Sequence, residues 1–103
     1  MNNIDNIISL VDRAILGSLE LEQFYSEWDE SWNSDAFLNT IFNDVENSVE
    51  HIPGKRNSKE INFDAWKSSE LYRTLTIDLE LLKSFNSLST LQLIKRRYDL
   101  LKS

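Results

Sequence analysis

Residues 37–54 read FLNTIFNDVENSVEHIPG, and their apolar members decide the fold. Phe37, Leu38, Ile41, Phe42, Val45 and Val49 return every three or four positions, the period of an α-helix with one buried stripe, and Ile52 extends the series. Pro53-Gly54 stops it, because proline cannot continue the hydrogen-bond ladder and glycine accepts the turn that follows. Asp35, Asn39, Glu46 and Glu50 line up on the face turned away from that stripe. One segment thus offers apolar groups to a core on one side and carboxylates to solvent on the other.

Upstream, Asn33 and Ser34 break the pattern and are the candidate caps for this helix. Before them, Leu21, Phe24, Tyr25, Trp28 and Trp32 keep helical spacing, which predicts a second helix continuous through Trp32, capped by Ser18 and aromatic on its inward face. Its polar side carries Glu20, Gln23, Glu27 and Glu30 in one row, with Glu22 and Asp29 on the next. A first helix runs over Ile4–Leu16 on the stripe Ile4, Ile7, Ile8, Val11, Ala14 and Ile15, and Gly17 ends it.

Downstream, Lys55–Glu60 is basic, polar and without period, so it reads as a loop. A long helix is expected from about Asn62–Asp64 to Ser84, burying Trp66, Leu71, Leu75, Leu79 and Leu82, with Tyr72 and Phe85 flanking. Ser87 or Ser89 can cap a last helix through Leu91, Ile94, Tyr98 and Leu101, with Lys95, Arg96, Arg97 and Lys102 near its C-terminal dipole. With two glycines and one proline in 103 residues, there is little of the turn chemistry that sheets need. The expected architecture is all-α, an antiparallel four- to five-helix bundle forming a single domain over residues 1–103.

Composition narrows the function. Cysteine is absent, so disulfides and thiolate metal sites are excluded and a reducing cytoplasm suits the chain. No apolar run approaches the roughly 20 residues that span a bilayer, and Met1-Asn2-Asn3 lacks the layout of a signal peptide, so a cytoplasmic protein without a membrane partner is expected. The formal net charge is -6, unevenly spread. Residues 1–52 hold 11 acids against the single base Arg13, a formal -10, whereas residues 53–103 hold 6 acids against 10 bases, a formal +4. Like charges at helical spacing cost a few tenths of a kcal/mol per pair, so folding alone gives no reason to gather them. A cationic partner does, and the same field disfavours direct contact with nucleic-acid phosphates.

Catalytic chemistry is hard to find. Gly17 and Gly54 lie too far apart for a phosphate loop, and His51 stands alone, near a helix C-terminus, with no set of ligands around it. None of the carboxylates is read as sitting in an apolar run where burial would raise its pKa. No enzyme activity, cofactor or metal is therefore expected. Trp28 and Trp66 read as packing residues, and Trp32, at the end of its helix, as a candidate interface anchor. The basic residues Lys55, Arg56 and Lys59, and Lys95-Arg96-Arg97, lack interleaved aromatics and read as solvated charges.

The order of features, GSLELEQFYSEW (17–28), FLNTIFNDVENSVEHIP (37–53) and INFDAWKSSELYRTLTIDLELL (61–82), resembles the colicin D-type immunity proteins and their relatives among contact-dependent growth inhibition immunity proteins. The likeness covers about Ile7 to Phe85 and rests on Gly17, Phe24, Tyr25, Trp28, Phe42, Asp44, Val45, Ile61, Leu71 and Leu82. The Lys55–Lys59 loop and the helix from Leu88 onward depart from that pattern. The resemblance implies a non-enzymatic helical bundle that binds the basic C-terminal nuclease domain of a cognate toxin, of the tRNA-cleaving kind, and blocks its active site as a 1:1 heterodimer. Joined to the charge asymmetry, it makes Glu27, Asp29, Glu30, Trp32, Asp35, Asp44, Glu46 and Glu50 the candidate contacts. The alternative is another acidic binding module, an antitoxin, secretion chaperone or regulatory subunit, in the form of a homodimer joined by exposed aromatics.

Overall fold

The apolar stripes fold as helices, and the breaks between them fall where side chains compete for backbone hydrogen bonds. The computed structural model describes residues 4–51 and 62–103. The expected end of the third helix at Ile52 and Pro53-Gly54, the Lys55–Glu60 loop and Ile61 lie outside the described residues. Among those described, the order is α1 (Ile4–Ile15), α2 (Leu21–Glu27), a 3-10 turn (Glu30–Ser34), α3 (Ala36–His51), α4 (Phe63–Lys67), α5 (Glu70–Leu82) and α6 (Thr90–Lys102), with no strand.

Helix α1 buries Ile4, Ile7, Val11 and Ala14 of its expected stripe and also Leu10, which lies outside it, whereas Ile8 and Ile15 are partly buried. Gly17 closes it at φ 77°, the left-handed conformation that costs glycine least. Its amide donates to the Ala14 carbonyl at 3.1 Å, and that of Ser18 to Arg13 at 3.0 Å. Ser18 is not the cap of α2, which begins later with Glu20 in extended conformation.

The second helix is not continuous through Trp32. It ends at Glu27, Trp28 and Asp29 are extended, and the chain resumes as the 3-10 turn. Asp29 supplies the reason: its Oδ1 accepts from the Ser31 amide at 2.9 Å, offering the backbone a local bond in place of the helix ladder. The cap of α3 is likewise Asp35 rather than Asn33 or Ser34. Asp35 Oδ1 accepts from the amides of Phe37 at 2.8 Å and Leu38 at 3.1 Å.

The long helix expected from Asn62 to Ser84 is two helices. Asn62 caps α4 through the Ala65 amide. At Ser68-Ser69 the chain turns: Ser69 Oγ donates to the Trp66 carbonyl at 2.7 Å and accepts from the Tyr72 amide, so it starts α5. Short α4 is fixed by Trp66, which is fully buried and whose Nε1 donates to the Ile15 carbonyl at the end of α1, 2.7 Å away. Ser89, not Ser87, caps α6 in a reciprocal capping box with Gln92.

One core joins these elements, with Phe24, Phe37, Ile41, Val45, Trp66, Leu75, Leu82 and Leu93 at its centre. Burying each large side chain contributes about 1.5–3 kcal/mol before entropy is counted. In α6 Leu93 is buried and Arg97 and Leu101 are half-buried on the same side, whereas Leu91 and Tyr98 face solvent, 79% and 59% exposed, against the expectation that they pack. Helix directions follow from side-chain pairings. Arg73 reaches the carbonyls of Leu100 and Leu101 while Asp78 meets Arg97, so α5 and α6 run antiparallel. Asp35 meets Thr90 while Asp44 meets Arg97, so α3 and α6 run parallel.

Candidate functional site

The acidic residues singled out from the sequence divide into two groups. The first is committed inside the fold. Glu27 forms a two-pronged pair with Arg13, Nη2 to Oε1 at 2.6 Å and Nη1 to Oε2 at 3.1 Å, and the guanidinium holds the Glu27 carboxyl below the usual range. Asp35 is the α3 cap, and its Oδ2 accepts from the Thr90 hydroxyl of α6 at 2.8 Å. Asp44 accepts from Arg97 Nη2 at 2.8 Å. Glu27, Asp35 and Asp44 thus each have a donor within the fold, Glu27 while remaining exposed.

Asp44 belongs to a cluster that the sequence reading missed. Asp78, in the run LTIDLELL, has a side chain with no exposed surface and pairs with Arg97 Nε at 3.1 Å. Burial first, then the neighbouring Asp44 carboxyl, pushes the Asp78 carboxyl up to about 9 against the pull of Arg97. Asp78 Oδ2 is buried and meets no donor among the described residues. A proton held between the two carboxyls supplies the missing bond and leaves one cation facing one anion. The signal was available: Asp78 lies three residues after Leu75 and four before Leu82, on the buried stripe itself. What spacing could not show was Arg97, which comes from another helix. The cluster joins α3, α5 and α6.

The second group lies around the break after α2. Asp29 and Glu30 are exposed there, and Glu46 and Glu50 stand on α3 beside Tyr25. Asp29 caps the 3-10 turn, and its bond from Ser31 holds its carboxyl below the usual range. Glu46 Oε2 accepts from the Tyr25 hydroxyl at 2.5 Å. That bond, with burial and the charges of Glu46 and Glu50, pushes the Tyr25 phenol up to about 12. Among the described residues no ion pair reaches Asp29, Glu30, Glu46 or Glu50, since Arg13 and Arg97 are taken by Glu27, Asp44 and Asp78.

Between these carboxylates the helix break opens a cleft of about 520 Å³, lined by Tyr25, Trp28, Glu30, Asn33 and Phe42. Its walls are rings in mutual contact: Phe42 lies 5.3 Å from Trp28, 5.2 Å from Phe24 and 6.4 Å from Tyr25 between centroids. Trp28 Nε1 donates to Asn33 Oδ1, and Asn33 Nδ2 donates to Asn39 Oδ1 at 3.0 Å, which ties the 3-10 turn to α3. Trp32 packs edge-on against Trp28 at 4.9 Å and is half-buried against the core. Its Nε1 is buried and meets no acceptor among the described residues.

His51 is exposed, its Nδ1 2.7 Å from the Asn47 carbonyl oxygen. The described residues contain no group of three or more His, Asp or Glu placed to hold a metal ion, and no described helix is long and apolar enough to cross a membrane. Comparison of the chain with protein families, with curated proteins and with solved structures finds no match in any of the three.

Proposed function

We propose that this protein is a non-enzymatic immunity protein that binds the basic nuclease domain of a bacterial toxin and blocks it, acting in the cytoplasm as a monomer that forms a 1:1 complex. The reading includes the antiparallel bundle that the short connections favour, modified by the parallel pairing of α3 with α6. A single observation carries it: residues 1–52 hold 11 acids and one base, and that base, Arg13, is spent on Glu27. The carboxylates of Asp29, Glu30, Glu46 and Glu50 then lie on one surface with no cation of the described chain beside them. A surface of that kind occupies the place of RNA phosphates on a basic enzyme and raises the rate of encounter.

The test uses the cognate toxin's nuclease domain, sought first in the reading frames that flank this gene. Mixed with the protein, that domain is expected to elute as a 1:1 heterodimer and to lose RNA cleavage. Glu30→Lys with Glu50→Lys, both at exposed sites, should weaken inhibition at least tenfold, a loss of about 1.4 kcal/mol. Circular dichroism should show the helical fold intact. Full inhibition by the double variant would remove the acidic surface from the mechanism.

A further inference from the structure

We propose that the aromatic cleft between the 3-10 turn and α3 is a receptor for a single arginine side chain of the partner, held between the rings of Tyr25, Trp28 and Phe42 and the carboxylate of Glu30. The proposal rests on the toxin-binding reading for its biological setting, but its chemistry stands on the cleft.

Three features select a guanidinium. The walls are aromatic, with Tyr25 46% exposed and Trp28 6%, and the quadrupole of an accessible ring attracts a cation lying over it. Of the polar lining residues, Glu30 only accepts, and the Asn33 amide is engaged with Trp28 and Asn39. Glu30 lines the cleft, and Glu46 and Glu50 stand beside the Tyr25 hydroxyl at its edge, so a cation gains attraction where an anion meets repulsion. The third is the chemistry of the group itself: in a cleft of about 520 Å³, within the roughly 300–1,000 Å³ of small-ligand sites, a planar guanidinium stacks on rings while its edge bonds a carboxylate, which a compact ammonium does less well.

The construction also resists collapse. Trp28 is bonded to Asn33, Asn33 to Asn39, and Tyr25 to Glu46, so the side chains that border the opening are held by partners in the empty protein. A site built before its occupant arrives loses little freedom on binding. An apolar occupant would leave Glu30 facing a ring without compensation, which argues against a hydrophobic anchor.

The experiment needs no toxin. The isotope-labelled protein is titrated with N-acetyl-arginine amide and, separately, with N-acetyl-citrulline amide, which keeps the shape and loses the charge, while the Trp28 indole and Asn33 amide resonances are followed. Saturable shifts centred on Tyr25, Trp28, Asn33 and Phe42 are expected with the arginine probe alone, and Glu30→Gln should weaken them severalfold. Equal response to citrulline, shifts spread over the acidic surface, or no saturation would each overturn the proposal. Such a failure would leave inhibition of the nuclease to be judged by its own assay. Arginine binding with no nuclease inhibition would instead retain the cleft and reject the toxin.

Discussion

Asp78 shows how one side chain can govern the response of the whole fold to pH. Its carboxyl titrates at 3.8 when exposed and near 9 when folded, so between those values the folded protein holds a proton that the unfolded chain has released. The sign follows: this group's stabilising contribution is full below about 3.8, and it is lost as pH rises towards 9. Asp78→Asn keeps an acceptor for Arg97 and gives Asp44 a donor without needing the proton. Urea denaturation across pH 5 to about 9 should show the wild type losing stability as pH rises and the variant nearly level over the same window. A wild-type profile as flat as the variant's would mean that the two carboxyls share no proton. At this scale the sequence was partly legible. Val11, Ile41 and Val45 declare themselves core by spacing, but Asp78, fully buried, and Arg97, half-buried, hide because each pairs with a residue remote in the chain.

Among the elements, the breaks were harder to read than the helices. Phe24, Trp28 and Trp32 keep an unbroken helical period, yet Asp29 and Ser31 offer the backbone a tighter local bond, and the period loses to it. Ser68 and Ser69 divide α4 from α5 in the same way, under an apolar pattern that continues across the gap. Capping residues inside an apolar period are therefore the places where spacing misleads. Asp35 is the most consequential of these caps, because one carboxylate both starts α3 and holds the first turn of α6 through Thr90. Asp35→Ala should cost about 1–2 kcal/mol of unfolding free energy, and Thr90→Val, which removes the inter-helix bond alone, about 0.5–1.5 kcal/mol. Chemical denaturation of the two variants and their combination measures both. Additive losses would mean that the cap and the bridge act separately; a double variant no worse than Asp35→Ala is the expected result.

As a whole, the molecule is a slab of 40 × 33 × 16 Å, whose thin dimension matches two packed helix layers. A flat body of this size exposes broad faces, and the unequal distribution of charge along the chain gives it a strongly negative region around α2, the 3-10 turn and the adjoining part of α3. Association with a basic partner should accordingly slow as salt rises, most steeply while the screening length falls from about 30 Å at 0.01 M to about 8 Å at 0.15 M. Stopped-flow binding to a basic toxin nuclease domain that the protein inhibits, at graded ionic strength, checks this, and a rate indifferent to salt would count against steering. The charge imbalance was legible from composition, but the cleft was not, because it exists only where the chain leaves one helix and returns in another geometry.

Arg97 bears on how the chain emerges from the ribosome. Helices α3 and α5 are made before α6, and until Arg97 arrives they bring Asp44 and Asp78 together with no positive charge between them. The polar seam joining α3 and α5 gains its cation only once α6 has been synthesised, and before that the shared proton alone offsets the two carboxyls.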